Sequence, residues 1–419
     1  MIGMPFTLYK HAKLFVIFSL IINLFICKLS LALDINDQQQ PYPLSSEILW
    51  FEDKSQLITF NDMSTLEVTK HFQQRRENIV NLGYKASNIW LYLSLNKHQL
   101  NNNQTVSSWY LSIEYPQLDH IEIYQKQTDG AVNYTLMGDK LPFASRDIHH
   151  RHFIYPIKFN NSDNIEIFIK IKSSSTLKIP VMLYSDTGLT KKYHNESSSH
   201  GIYIGIMLAI LLFNLFLLVT LRDKNFIYLI GLISFSCLLE VTVAGYGYQY
   251  WWGDYPGIHS PLIIIFISVS CMFATWLNKQ FLKHEMTKPQ LAVVNVMMII
   301  NLLIAISPLY LYYQTSIKIA VATTLTSSLI ILYLSCKHFN VKTSFYWLYI
   351  TAWLILLPIT CLYFISSSAL INSFSISEYS VALCSALSYI LLTLALTERL
   401  SETKDNYLST IKKAQKKTK

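Results

Sequence analysis

Beyond about residue 200 the chain is organised as seven apolar runs of roughly 20 residues, and this pattern restricts the fold more than any other feature. The runs cover residues 201–221, 226–246, 261–281, 291–311, 316–336, 344–365 and 376–397. A helix rises 1.5 Å per residue, so each run is long enough to cross about 30 Å of hydrocarbon. Lipid offers the backbone no hydrogen-bond partners, so such runs satisfy their own amides as helices. The C-terminal half therefore reads as a seven-helix transmembrane bundle. This also explains a chain with 52% hydrophobic and only 14% charged residues.

The first 200 residues follow a different rule. Residues 165, 167, 169 and 171 are all Ile, and they alternate with Glu166, Phe168, Lys170 and Lys172. Ile89, Leu91, Leu93 and Leu95 alternate with Trp90 and Tyr92 in the same way. Period-2 alternation marks half-buried strands. Similar segments occupy residues 109–115, 121–126, 152–159 and 177–184, with turn signals at Asn101-Asn102-Asn103 and Thr128-Asp129-Gly130. The expected fold is α+β overall: an all-β jelly roll or sandwich over residues 33–193, then the bundle over 201–397. Residues 194–200, overlapping the polar stretch from Lys191 to Ser199, read as a linker, and 398–419 as a short basic tail.

The N-terminus carries Lys10 and Lys13, an apolar run from Leu14 to Ile26, and small residues at Ser30 and Ala32. This is the pattern of a secretory signal peptide over residues 1–32, cleaved before Leu33. An uncleaved anchor would leave the β-domain on the same side. Bulky Ile26 argues against Cys27 as a lipid acceptor. None of the six cysteines falls in the β-domain, which is expected to fold without disulfides.

Charge fixes the orientation. The loops expected on the inner side hold Arg222, Lys224, Lys279, Lys283, Lys288, Lys337 and Lys342, and seven more Lys/Arg follow in the tail. The opposite loops, 247–260, 312–315 and 366–375, hold none, so positive residues are confined to one side. The expected location is a bacterial inner membrane, with the β-domain periplasmic and the C-terminus cytoplasmic. The net charge of +8 is thus a topology signal. The stretch 33–199 has 16 basic against 18 acidic residues, which excludes a nucleic-acid footprint.

Several motifs resemble a known family. They are Asn81-Leu82-Gly83-Tyr84, Asn88-Ile89-Trp90-Leu91, Gly138-Asp139-Lys140-Leu141-Pro142-Phe143-Ala144-Ser145-Arg146 and His150-Arg151-His152-Phe153 with Pro156. Gly201-Ile202-Tyr203-Ile204-Gly205, Phe213-Asn214-Leu215, Arg222-Asp223-Lys224 and Gly245-Tyr246 follow in order. Together they resemble bacterial seven-transmembrane receptors with diverse intracellular signalling modules, with the second type of extracellular sensor domain. The resemblance implies a jelly-roll sensor for carbohydrate-like or other small ligands, coupled to a seven-helix transducer. In that family a cyclase, kinase or phosphatase module usually follows. Here no GGDEF, kinase histidine box or ATP-binding glycine motif is found, so no enzymatic activity and no cofactor are expected.

Trp90, Arg146, His150 and Arg151 are the ligand candidates, because an aromatic platform and guanidinium donors suit sugars and anions. Trp90 also fits a core position, and Arg146 is near Asp139 and Asp147. On a strand, His150 and His152 would share a face, but no nearby carboxylate or cysteine completes a metal set, so none is expected. Glu240, Lys318 and Glu378 stand in or beside the outer thirds of apolar runs, where charge is costly and usually functional. They are candidates for polar coupling beneath the sensor, with snorkelling the alternative for Lys318 and Glu378. Residues Thr397, Leu400, Lys404, Tyr407, Ile411 and Ala414 outline a short, weak heptad in the tail.

The leading function is a receptor that senses a small periplasmic ligand and signals through a separate cytoplasmic signalling protein, with homodimerisation left open. A transporter or accessory subunit with a periplasmic binding domain is the alternative. The spans lack an internal repeat and the paired broken helices of midplane binding sites.

Overall fold

A computed structural model describes residues 42–44, 47–65, 72–74, 80–96, 108–159, 164–339, 343–367 and 378–417. The expected signal peptide, Cys27 and the Asn101-Asn102-Asn103 turn lie outside the described residues. One antiparallel sheet runs β1 (Tyr42–Pro43), β12 (Val181–Ser185), β6 (Trp109–Ile113) and β9 (Phe153–Ile157). A second runs β3 (Gln73–Gln74), β2 (Leu49–Asp53), β5 (Asn88–Asn96), β10 (Asn164–Lys172), β7 (His120–Gln127) and β8 (Val132–Met137). A short ladder joins β4 (Val80–Asn81) to β11 (Lys178–Ile179).

The alternation read in the sequence sets the register. Ile167 pairs with Leu93 on one side and Gln125 on the other, and Phe168 with Tyr92 and Tyr124. Ile89, Leu91, Ile121, Ile123, Ile167 and Ile169 thus face the opposing sheet, meeting Leu111, Ile113, Phe153, Val181 and Leu183 in one core. The other face of the six-stranded sheet is covered in part. Helix α1 (Phe60–Thr65) brings Phe60 and Met63 over it, and Trp90 and Phe168 are buried there with Phe72. Apolar side chains on both faces of β5 and β10 therefore belong to two clusters, not one.

Strand β12 ends at Ser185, and helix α2 (Asp186–Leu221) begins at the next residue. The Ser185 side chain caps the new helix by accepting from Gly188 N. The polar stretch expected as a linker is therefore the first turns of a single 36-residue helix. Leu189 explains why, since it packs with Ile154 and Tyr184 of the β-domain. Lys192 and Glu196 then pair one turn apart at 3.0 Å. A segment with that anchorage has no reason to unwind.

The remaining helices are α3 (Asn225–Val243), α4 (Tyr246–Tyr250), α5 (Pro256–Leu282), α6 (Lys288–Ala305), α7 (Tyr313–Lys337), α8 (Ser344–Ser367) and α9 (Glu378–Lys417). Among the described residues seven helices are long and apolar enough to cross a membrane. The most apolar window of α2 is 22% buried, whereas those of α5 and α9 are each 61% buried. Helix α2 thus lies at the rim, and α5 and α9 at the centre.

Candidate functional site: the junction between sensor and bundle

One glycine tightens the β-domain loop that faces the helices, and a second lets the β-domain and the helices approach closely. A Cβ on Gly138 would lie 1.9 Å from the carbonyl oxygen of Asp119, so only glycine admits the chain there. Gly245, at φ +85°, ends α3 in the left-handed region, and a Cβ there would stand 2.8 Å from Pro116. After that turn, α4 and the loop behind it run beneath the β-domain. Phe143 N donates to Gly253 O at 2.9 Å, Gln117 Nε2 to Val243 O at 3.2 Å, and Lys140 Nζ to Ser260 Oγ at 2.6 Å. Tyr248 donates its hydroxyl to Leu141 O. Phe143, Tyr248, Trp252 and Phe266 close over these bonds in one apolar cluster.

Arg151 is at the middle of this junction, 3% exposed. Its Nη1 donates to Ala244 O and its Nη2 to Glu196 Oε2, both at 2.9 Å, and its guanidinium stands 5.1 Å from the Tyr246 ring centre. One side chain therefore ties the β-domain to α2 and to the end of α3. Glu196 also meets Lys192, and Lys192 reaches Glu114 of the loop after β6 at 3.7 Å. Tyr184 donates to the second Glu114 oxygen at 2.5 Å. The row Arg151, Glu196, Lys192, Glu114 alternates in sign, which is how a buried set of charges avoids isolation. Burial raises the Glu114 carboxyl above its ordinary range, with Lys192 opposing.

The histidines add no charge here. Burial first, and then the Arg151 cation, push His150 down to about 3 and His152 well below its ordinary value. The His150 ring stacks on Tyr193 at 3.6 Å, and its Nδ1 accepts from His152 N at 3.1 Å. Among the described residues no group of three or more His, Cys, Asp or Glu could hold a metal ion. Arg146 is buried too. Its Nη1 donates to the carbonyls of His150 and Arg151 at 2.7 and 3.0 Å, between the rings of Phe143 and Phe153. It braces the loop that aims Arg151. Asp139, buried beside Asp119, is pushed up to about 7 by burial and by that like charge.

The structure thus brings Arg146, His150 and Arg151 together at the junction and places Trp90 elsewhere, 0% exposed on the far face of the six-stranded sheet. Lys318 projects toward the β-domain, its ammonium 5.2 Å from the centre of the Tyr84 ring. Glu240 is half-buried on α3, one turn before Ala244. Glu378 begins α9, and its side chain lies outside what is described. Sequence reading missed Glu114, Lys192 and Glu196. The i, i+4 spacing of Lys192 and Glu196 was the available signal, hidden by their place in a stretch that looked like a linker.

A path leads inward from the junction. On α2, Tyr203 bonds Ser385 of α9 at 3.3 Å. Deeper, Asn214 Nδ2 donates to Thr393 Oγ1 at 2.9 Å, and Thr393 returns a bond to Asn214 Oδ1 at 3.2 Å. Asn214 is wholly buried, so this reciprocal pair fixes α2 against α9 inside the membrane. Helix α9 then continues to Lys417, and Arg399 at its inner part stands 4.6 Å from the Phe281 ring centre of α5.

Two family models match the chain. The model described as 7TMR-DISM extracellular 2 matches residues 45–185, and the one described as 7TM diverse intracellular signalling matches residues 196–399. The chain belongs to this receptor family. No curated protein matches it. The chain is accordingly a multi-pass membrane receptor of the 7TMR-DISM type, with an extracellular sensor domain and a seven-helix signalling domain. The two models leave residues 186–195 between them, and these are the opening turns of α2. The two modules of the family are here joined by one unbroken helix.

Proposed function

We propose that this receptor binds a small polar, carbohydrate-like ligand on its β-domain and passes the signal through α2 and α9 to a cytoplasmic signalling protein. It does so in a bacterial inner membrane, with the β-domain periplasmic and Lys419 cytoplasmic. The observation that carries the reading is the buried Arg151–Glu196 bond beside the unbroken β12–α2 connection. Any rearrangement of the sandwich reaches the bundle through rigid parts. A ligand can bias the helices only by preferring one arrangement of them, and that preference needs such a link.

The ligand site we favour is the groove of about 530 Å³ at one end of the six-stranded sheet, lined by Ser94, Asn96, Lys126, Gln127, Asn164 and Glu166. Lys126 and Glu166 lie 3.4 Å apart, and Asn96 donates to Asn164 at 2.7 Å. Nearby Tyr134, 54% exposed, has its ring 5.0 Å from that of Tyr124. Donors and acceptors beside an exposed aromatic ring are the groups that hold a sugar. Arg146, His150 and Arg151 are assigned to coupling.

The test uses the full chain in nanodiscs, screened against saccharides by thermal shift. A stabilising sugar should lose its effect in Lys126→Ala and keep it in Arg151→Met. If no saccharide shifts the wild type, or Lys126→Ala retains the shift, the ligand assignment fails. Alkaline phosphatase fused after Lys419 should be inactive, and activity there would overturn the orientation.

A further inference from the structure

The helical domain holds a partly open cavity of about 120 Å³ in the half nearer the β-domain. Five helices wall it: Glu240 from α3, Ser270 from α5, Thr324 from α7, Trp353 from α8 and Ser385 from α9 stand for each. Most of the wall is apolar, with Leu239, Ile263, Ile267, Ile331 and Leu356 contributing. A dry cavity of 150 Å³ lined by such residues takes up a benzene ring. The space beneath the sensor is of the same order, enough for about one small ring, and its open side leaves room for a short substituent.

The polar groups on its wall are hydroxyls, one carboxyl group and the indole N–H of Trp353. Ser270, Thr324, Thr360 and Ser385 each donate their hydroxyl hydrogen to a carbonyl of their own helix, at 3.0, 2.8, 2.7 and 2.8 Å. Each hydroxyl oxygen keeps lone pairs able to accept. Glu240 adds a carboxyl group, the one acidic side chain among the described residues of this wall. Trp353 presents an indole, 0% exposed, which suits both an apolar ring and a cation. A carboxyl group and an indole beside an apolar space suit a ligand that pairs an apolar ring with a cationic, N–H-bearing head.

We propose that this cavity is a second binding site, independent of the β-domain groove, for a small lipophilic amine of arylalkyl type. The ring occupies the apolar space and the ammonium lies toward Glu240 and the hydroxyl oxygens. Such a molecule enters from the bilayer, and it bears on α3, α5, α7, α8 and α9 together.

The probe is benzylamine, with benzyl alcohol and benzoate as near-isosteres that change only the head group. Binding is read by saturation-transfer NMR on the full chain in nanodiscs, against empty nanodiscs. Saturable binding of benzylamine with a dissociation constant of about 0.1–1 mM is expected for so few atoms. Benzyl alcohol should bind at least tenfold more weakly and benzoate not at all. Glu240→Gln should remove the preference for the amine while keeping the alcohol. Ser328→Leu and Ala274→Leu, which fill the space, should abolish binding with thermal unfolding kept within a few degrees. The second variant serves if the first fails to fold. The proposal is overturned if benzylamine binds no better than to empty nanodiscs, if binding survives a folded filling variant, or if the alcohol binds as tightly as the amine.

Discussion

Replacing Arg151 by Met should loosen the outer part of α2 more than any other single change at the junction. The substitution keeps much of the apolar stem and removes both the bond to Glu196 and that to Ala244 O, each 2.9 Å long. Removing one partner of a buried ion pair costs about 3–5 kcal/mol, because the other charge is left without compensation. Glu196 here keeps Lys192 at 3.0 Å, and that lysine is 35% exposed, so the lower end of the range, about 3 kcal/mol, is expected. In a local opening equilibrium this is about 150-fold. Hydrogen exchange of the amides of residues 189–200, measured by mass spectrometry in nanodiscs, reads that equilibrium. Protection there should fall about 100-fold in Arg151→Met, and much of it should return in Arg151→Met/Glu196→Met, where neither charge is stranded. Protection within threefold of wild type in the single variant, or no recovery in the double variant, would refute the reasoning.

Three further outcomes follow from the same geometry. Asp139 has its folded pKa raised from 3.8 to about 7, so the folded state binds the extra proton and stability from this site rises as pH falls from 7 towards 4. The penalty above pH 7 is about 4 kcal/mol at most, and Asp139→Asn should flatten the gain in thermal stability between pH 8 and pH 5; an unchanged slope would contradict this. Asn214→Leu should cost about 1 kcal/mol, measured by unfolding in mixed micelles, and should be non-additive with Thr393→Val because the two share one interhelical pair. Gly245→Val should raise exchange in residues 246–252, since φ +85° and the approach to Pro116 both exclude a branched side chain.

Much of the architecture was legible because it rests on periodicity. Seven runs of sufficient length and the strict alternation of β5, β7 and β10 each have one stable solution. Strand β8 escaped notice because its Val132, Tyr134 and Leu136 face outward and are exposed, so its alternation points away from the core. The helicity of the opening turns of α2 was hidden for a related reason. Their composition is polar, and what keeps them helical is a partner 45 residues away in the sequence, Arg151. The candidate site was legible only in part. The motif residues Arg146, His150 and Arg151 stood out, but their chemistry suggested ligand contact. Only the docking of the sandwich onto Gly245 and the Val243 and Ala244 carbonyls places them at a junction. Trp90 shows the same limit, since no local pattern tells that Phe60 and Met63 fold back over its face of the sheet.

The central claim is that the junction at Arg151 and the inner part of α9 are mechanically linked. Spin labels at Thr403 on α9 and Lys283, just after α5, in a background free of native cysteines, report the inner arrangement of the bundle. Their distance distribution in nanodiscs is measured by double electron–electron resonance with and without Arg151→Met. A distribution that shifts or broadens when only the outer junction is cut is the predicted result, together with reversal in Arg151→Met/Glu196→Met. An unchanged distribution, obtained alongside the loss of hydrogen-exchange protection in residues 189–200, would show that the junction opens without the inner helices responding and would contradict the account.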